Sequence, residues 1–126
     1  MVNEAAVQRS IQKWVIHLGG KVIKIHGNSY TEIGTPDLVG IVPVKLVDAK
    51  KPKSYLSLHI PVMWEVKHEG EEPSDIQRKR LEQWQKAGGC VGVVTSVEDA
   101  KELLRNFIIY GAELVPVPKD PFIVEI

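Results

Sequence analysis

The chain has 126 residues, and its 16 Lys plus Arg balance 16 Asp plus Glu, so the formal net charge is zero. A hydrophobic share of 44% suits one packed domain and excludes a wholly disordered chain, while the charge balance excludes a bulk positive field as the basis for binding nucleic acid or a membrane surface. The lone Cys90 excludes a disulfide framework and a multi-cysteine metal knuckle, and the short apolar runs and plain N-terminus point to an intracellular, cytoplasmic protein without a membrane span.

In chain order, Asn3 is a candidate N-cap and Gly19-Gly20 a stop for a first helix, with Val7, Ile11, Trp14, Val15 and Leu18 at helical spacing. Val22 to Ile25 reads as a short strand, and Gly27-Asn28-Ser29 as a turn. Leu38 to Val47 reads as a strand broken or bent near Pro43, Asp48 to Ser54 as a loop, and Leu56 to Lys67 as a second strand interrupted near Pro61. Two such neighbours joined by a polar loop pair antiparallel. Ser74 and Gln77 have capping-box spacing, predicting a helix to about Ala87 that Gly88-Gly89 ends. Cys90 to Thr95 is a β-branched run, hence a buried strand, and Ser96 with Asp99 opens a third helix with Leu103, Leu104, Phe107 and Ile108 on its apolar face. A tail from about residue 111 to 126, holding Pro116, Pro118 and Pro121, is expected to add an edge strand or two. The order is α-β-β-β-α-β-α: an α/β domain over 1–126, core about 3–106, with a mixed sheet flanked by helices.

Four features carry possible chemistry. Alternation along a strand puts Glu65 and Lys67 side by side on one face and Val62, Trp64 and Val66 on the other; taken alone, the two charges are explained more simply by an ordinary strand-end ion pair. Asp37 follows Pro36 where an irregular loop enters a strand, as a turn aspartate also does. Glu4 lies in line with Ile11 and Val15 on the first helix, where a first-turn acid also complements the helix dipole. Gln77 is explained by its cap alone, yet one short loop separates it from the Glu65-Lys67 strand. If the two long strands form a hairpin, Asp37 and Glu65 come close, and paired carboxylates repel unless a cation intervenes. All-oxygen ligands suit Mg²⁺ or Mn²⁺, a bound metal polarises a phosphoryl oxygen, and Lys67 would stabilise developing negative charge or orient the attacking water.

The ordered set Gly34-Thr35-Pro36-Asp37-Leu38, Trp64-Glu65-Val66-Lys67 and Ser74-Asp75-Ile76-Gln77, with Gly88-Gly89 before a strand and Glu4 early in the first helix, resembles the VRR-NUC group of the PD-(D/E)XK nucleases. The resemblance covers Asn3 to about Ala100. It implies the restriction-endonuclease-like core and assigns Asp37, Glu65 and the Val66 carbonyl to the metal, Lys67 to catalysis and Gln77 to support of the site. Glu4 would touch the metal, directly or through water. It also implies a homodimer in a bacterial or phage-infected cell, cutting branched DNA such as four-way junctions or flaps, with no nucleotide cofactor; the dimer would set two sites on one axis. An inactive nucleic-acid-binding module with the same fold is the alternative, and a purely structural subunit a third reading. Candidate nucleic-acid contacts are Lys50, Lys51 and Lys53 in the inter-strand loop and Arg78, Lys79 and Arg80 on the second helix. Glu69, Glu71 and Glu72 crowd the end of the catalytic strand. Trp14 and Trp84 are expected in the core, Tyr30 packs on its own loop or touches nucleic acid, and Cys90 is inert.

Overall fold

The computed structural model describes residues 3–27, 31–114 and 118–126, with residues 112–114 described by backbone alone. The expected turn at Asn28-Ser29, Tyr30 and Pro116 lie outside the described residues. The elements run α1 (Glu4–His17), β1 (Lys21–Lys24), β2 (Leu38–Asp48), β3 (Lys51–Val66), α2 (Asp75–Lys86), β4 (Cys90–Val94) and α3 (Val97–Leu114). This is the α-β-β-β-α-β-α order read from the sequence.

The helix starts follow local chemistry. Asn3 accepts the Ala6 N–H at 2.8 Å, capping α1. At α2 the capping box closes in both directions, with the Gln77 N–H donating to Ser74 Oγ at 3.3 Å and the Ser74 N–H donating to Gln77 Oε1 at 2.9 Å. At α3 the Asp99 N–H donates to Ser96 Oγ at 3.1 Å, and Asp99 Oδ2 accepts from the Thr95 N–H at 2.8 Å and the Thr95 hydroxyl at 2.7 Å.

The strands form one mixed sheet in the order β1-β2-β3-β4, antiparallel except for the parallel β3–β4 pair that α2 connects. One face, including Leu38, Val62, Trp64 and Val66, is buried against α1 and α3, which supply Ile11 and Leu104. Trp64 is the largest fully buried side chain, contributing about 2–3 kcal/mol of burial. The opposite face meets α2, a helix that buries no residue completely. Trp84 is 38% exposed there, which corrects its expected place in the core; Trp14 does pack against the core.

Three further expectations change. The Asp48–Ser54 segment is not a loop: the chain turns between Asp48 and Lys51, where the Lys50 N–H donates to Asp48 Oδ1 at 2.8 Å, and β3 begins at once. The polar Lys51–Ser57 stretch pairs as a solvent-bathed ribbon, in which no face needs to be apolar. Pro43 and Pro61 interrupt nothing, being paired with His59 and Ile41 respectively. The Val66 N–H points to the β2 side, at Asp37, and the Lys67 N–H to β4, at Val94, so odd positions of β3 aim their backbone away from β2. Pro61 therefore lacks its donor just before β4 pairing begins at Val62, and Pro43 just beyond the last β1 partner, Ile41. Residues 118–126 add no edge strand and are exposed. Among the described residues no helix is long and apolar enough to cross a membrane.

Candidate active site

The loop before β2 is fixed tightly. Gly34 has φ +83°, and a Cβ there would meet the Ile76 carbonyl oxygen of α2 at 2.9 Å, so glycine permits both the turn and the approach to the helix. The Thr35 N–H and hydroxyl both donate to the Glu32 carbonyl, at 3.2 and 2.5 Å, and Pro36 is fully buried. The Ile25 N–H donates to the Asp37 carbonyl at 2.7 Å, extending the β1–β2 ladder. Asp37 thus enters the sheet with its carboxylate placed. Its Oδ2 accepts the Val66 N–H at 2.8 Å and its Oδ1 accepts Lys24 Nζ at 3.0 Å.

Leu38 pairs with Trp64, so antiparallel register brings Asp37 beside Glu65 and Val66. Glu65 is only 3% exposed, on a strand whose neighbours are apolar. Its Oε1 accepts Gln77 Nε2 at 3.0 Å, while its Oε2 is buried without a hydrogen-bond partner among the described residues. Burial, and then the Asp37 carboxylate beside it, push the Glu65 pKa up to about 8, against the pull of the Lys67 and Lys24 ammonium groups. Gln77 therefore serves both readings made of it, closing the α2 cap with its carbonyl oxygen and holding Glu65 with its amide nitrogen.

The backbone of Val66 faces the same place. The peptide is trans and the Lys67 N–H points at Val94 O at 3.1 Å, so the Val66 carbonyl is directed to the opposite, β2 side, as is its N–H. The Lys67 side chain, 14% exposed, lies close enough to Glu65 to lower its pKa and pairs with Glu71 at 3.4 Å.

Glu4 is set against a different group. Its Oε1 lies 3.7 Å from His68 Nε2, and His68 Nε2 lies 3.7 Å from Glu71 Oε2. One ligand atom each from Glu4, His68 and Glu71 falls within 4.8 Å of the others, with Glu71 joining this cluster to Lys67. The basic candidates are spread out. Lys50, Lys51 and Lys53 stand at the hairpin tip, roughly 30 Å from Asp37 at the strand rise per residue. Arg78 pairs with Glu72, while Arg80 is held by Glu32 at 2.8 Å and the Ile33 carbonyl at 2.9 Å, locking α2 to the Asp37 loop. Lys79 is exposed on α2.

Two participants escaped the sequence reading. Lys24 sits within a short strand that gave no reason to single it out; only the β1–β2 pairing delivers it to Asp37. Glu71 read only as one of three acids crowding the end of the strand, yet it holds Lys67 and His68; its i,i+4 spacing from Lys67 was the available signal.

No family model matches the chain, and no curated protein does. Solved structures do. A structure described as "VRR_NUC domain" is 27% identical, with a TM-score of 0.58 over 82% of this chain and 96% of its own. A second, described as "VRR_NUC domain protein", is 15% identical, with a TM-score of 0.55 over 86% of this chain and 89% of its own, and shares the fold.

Proposed function

We propose that this chain, a VRR-NUC-type domain by fold and by its ordered motifs, is a divalent-metal-dependent endonuclease that hydrolyses phosphodiester bonds in branched DNA. The observation that carries the reading is the pair Asp37 and Glu65, two carboxylates held side by side at one sheet end, with Glu65 Oε2 buried and without a hydrogen-bond partner among the described residues, and Lys67 adjacent.

A buried acid with an oxygen that accepts no hydrogen bond among the described residues, next to a second acid, fits a hard cation, which would supply the positive charge that the Lys67 and Lys24 ammonium groups only partly provide. Asp37, Glu65 and the Val66 carbonyl would hold Mg²⁺ or Mn²⁺, and Glu4 would reach it only through intervening water or a shift from His68. Such an ion, when bound, supplies Lewis acidity toward a phosphoryl oxygen and lowers the pKa of a water. The protein's own groups do the rest. The Val66 N–H orients Asp37, and Gln77 orients Glu65. Lys67, near Glu65 and paired with Glu71, would offer a positive charge where negative charge develops on the phosphorus oxygens. A dimer would place two such sites for a symmetric branched substrate.

One observation favours the alternative, a binding module without catalysis: Lys24 already neutralises Asp37 at 3.0 Å. The test is a panel of labelled flap, splayed, nicked and four-way DNA substrates with Mg²⁺, Mn²⁺ or chelator. Metal-dependent cleavage of branched forms is the expected result; cleavage that persists in chelator, or DNA binding with no cleavage under any condition, would remove the reading.

A further inference from the structure

We infer that Lys24 is the resident counter-ion of Asp37 and couples metal binding to DNA binding, yielding Asp37 to the metal as its ammonium turns to a DNA phosphate. The inference rests on the nuclease reading above and adds to it a residue on β1, outside the motifs.

Lys24 is the last residue of an edge strand, and its Nζ takes Asp37 Oδ1, with the two side chains 31% and 21% exposed. The other Asp37 oxygen is committed to the Val66 N–H at 2.8 Å. Each carboxylate oxygen keeps a second lone pair, but Oδ1 has no backbone donor among the described residues, and it is the one the ammonium occupies. A divalent ion on the same oxygen would sit within about 4 Å of the ammonium, where like charges repel strongly even at an effective dielectric of about 20. Metal binding and the ion pair thus compete.

Lys24 has somewhere to go. Lys24 and Asp37 both line an open polar cleft of about 430 Å³ between the end of β1 and the loop before Asp37, with His26, Thr31 and Glu32 on its walls. A lysine ammonium is a flexible, strongly hydrated point charge that pairs readily with phosphate. A DNA phosphate entering this cleft would take the ammonium, leave Oδ1 free and raise the affinity for metal; by linkage, metal raises the affinity for DNA by the same factor. Without DNA the acids stay neutralised internally, and the site resists loading.

The experiment compares wild type with Lys24→Met, Lys24→Gln and, as a control of equal charge change on the same strand, Lys21→Met. Mn²⁺ affinity is read by electron paramagnetic resonance without DNA, and again with a four-way junction on a Lys67→Ala background that limits turnover. Removing Lys24 should tighten Mn²⁺ binding on the order of tenfold without DNA and shrink the DNA-induced gain by a similar factor, with Lys21→Met unchanged. It should also lower the melting temperature of the metal-free protein, a gap that closes when Mn²⁺ saturates. Equal or weaker Mn²⁺ binding by both Lys24 variants, or an equal effect in Lys21→Met, overturns this inference and leaves the nuclease reading standing. No Mn²⁺ binding by wild type or variants overturns both.

Discussion

Gln77 and Glu65 are joined across two elements: the Gln77 amide nitrogen donates to Glu65 Oε1 at 3.0 Å while its amide oxygen accepts from the Ser74 N–H. One side chain thus closes the N-terminal cap of α2 and steadies a buried acid. Gln77→Ala should cost about 1–3 kcal/mol, from a lost cap and a lost donor to a buried carboxyl. Urea denaturation measures it, and a loss near zero would show that the bond to Glu65 is not made in solution.

The Glu65 pKa of about 8 gives a signed pH dependence. The folded value lies above the unfolded one, so between about 4.5 and 8 the folded metal-free protein binds more protons than the unfolded chain. Its stability should therefore fall as pH rises through that window, and Glu65→Gln should flatten the fall. Melting curves from pH 5 to 9 in chelator check this.

The same raised pKa predicts that metal binding releases a proton. Below pH 8, loading the site should expel close to one proton from Glu65, fewer as pH climbs past 8. Calorimetry of Mn²⁺ binding in buffers of different ionisation heat counts it directly, and no buffer dependence at pH 7 would contradict the assignment of Glu65 as a ligand.

Asp37→Asn and Glu65→Gln should each lower turnover at least about a hundredfold and weaken Mn²⁺ binding. Lys67→Ala should lower turnover comparably and leave Mn²⁺ binding within a few-fold of wild type. If Lys67→Ala lost metal as completely as Asp37→Asn, its role would be that of a structural partner to Glu71.

Gly34→Ala tests the loop that delivers Asp37. A residue with a Cβ at φ +83° is strained by about 1–2 kcal/mol, and here the added carbon also meets the Ile76 carbonyl. Both stability and turnover should fall; a loss of stability alone would mean that the loop does not position Asp37.

What the sequence made legible was local. Asn3, Ser74 and Gln77 announced their helix starts because a cap needs only its own three residues. The order of elements along the chain followed from β-branched runs, and the β2–β3 hairpin from one polar stretch, although its loop proved shorter than read. What stayed hidden depended on partners far along the chain. Pro43 and Pro61 read as breaks because the side of the strand that lacks a neighbour is set by β1 and β4. Trp84 fits an apolar helical face, yet α2 buries none of its residues completely and leaves Trp84 exposed. Asp37, Glu65 and Gln77 stood out by motif, whereas Lys24 came to Asp37 only through pairing of an unremarked strand.

The end of β3 and the residue after it write two messages in alternating letters: Val62, Trp64 and Val66 for the interior, Glu65 and Lys67 for chemistry. Losing or gaining one letter between Pro61 and Lys67 would hand the acid to the core and a valine to the substrate. Descendants of this chain are therefore free to lengthen or trim the distal hairpin, but this seven-residue stretch can drift only by substitution, never by count.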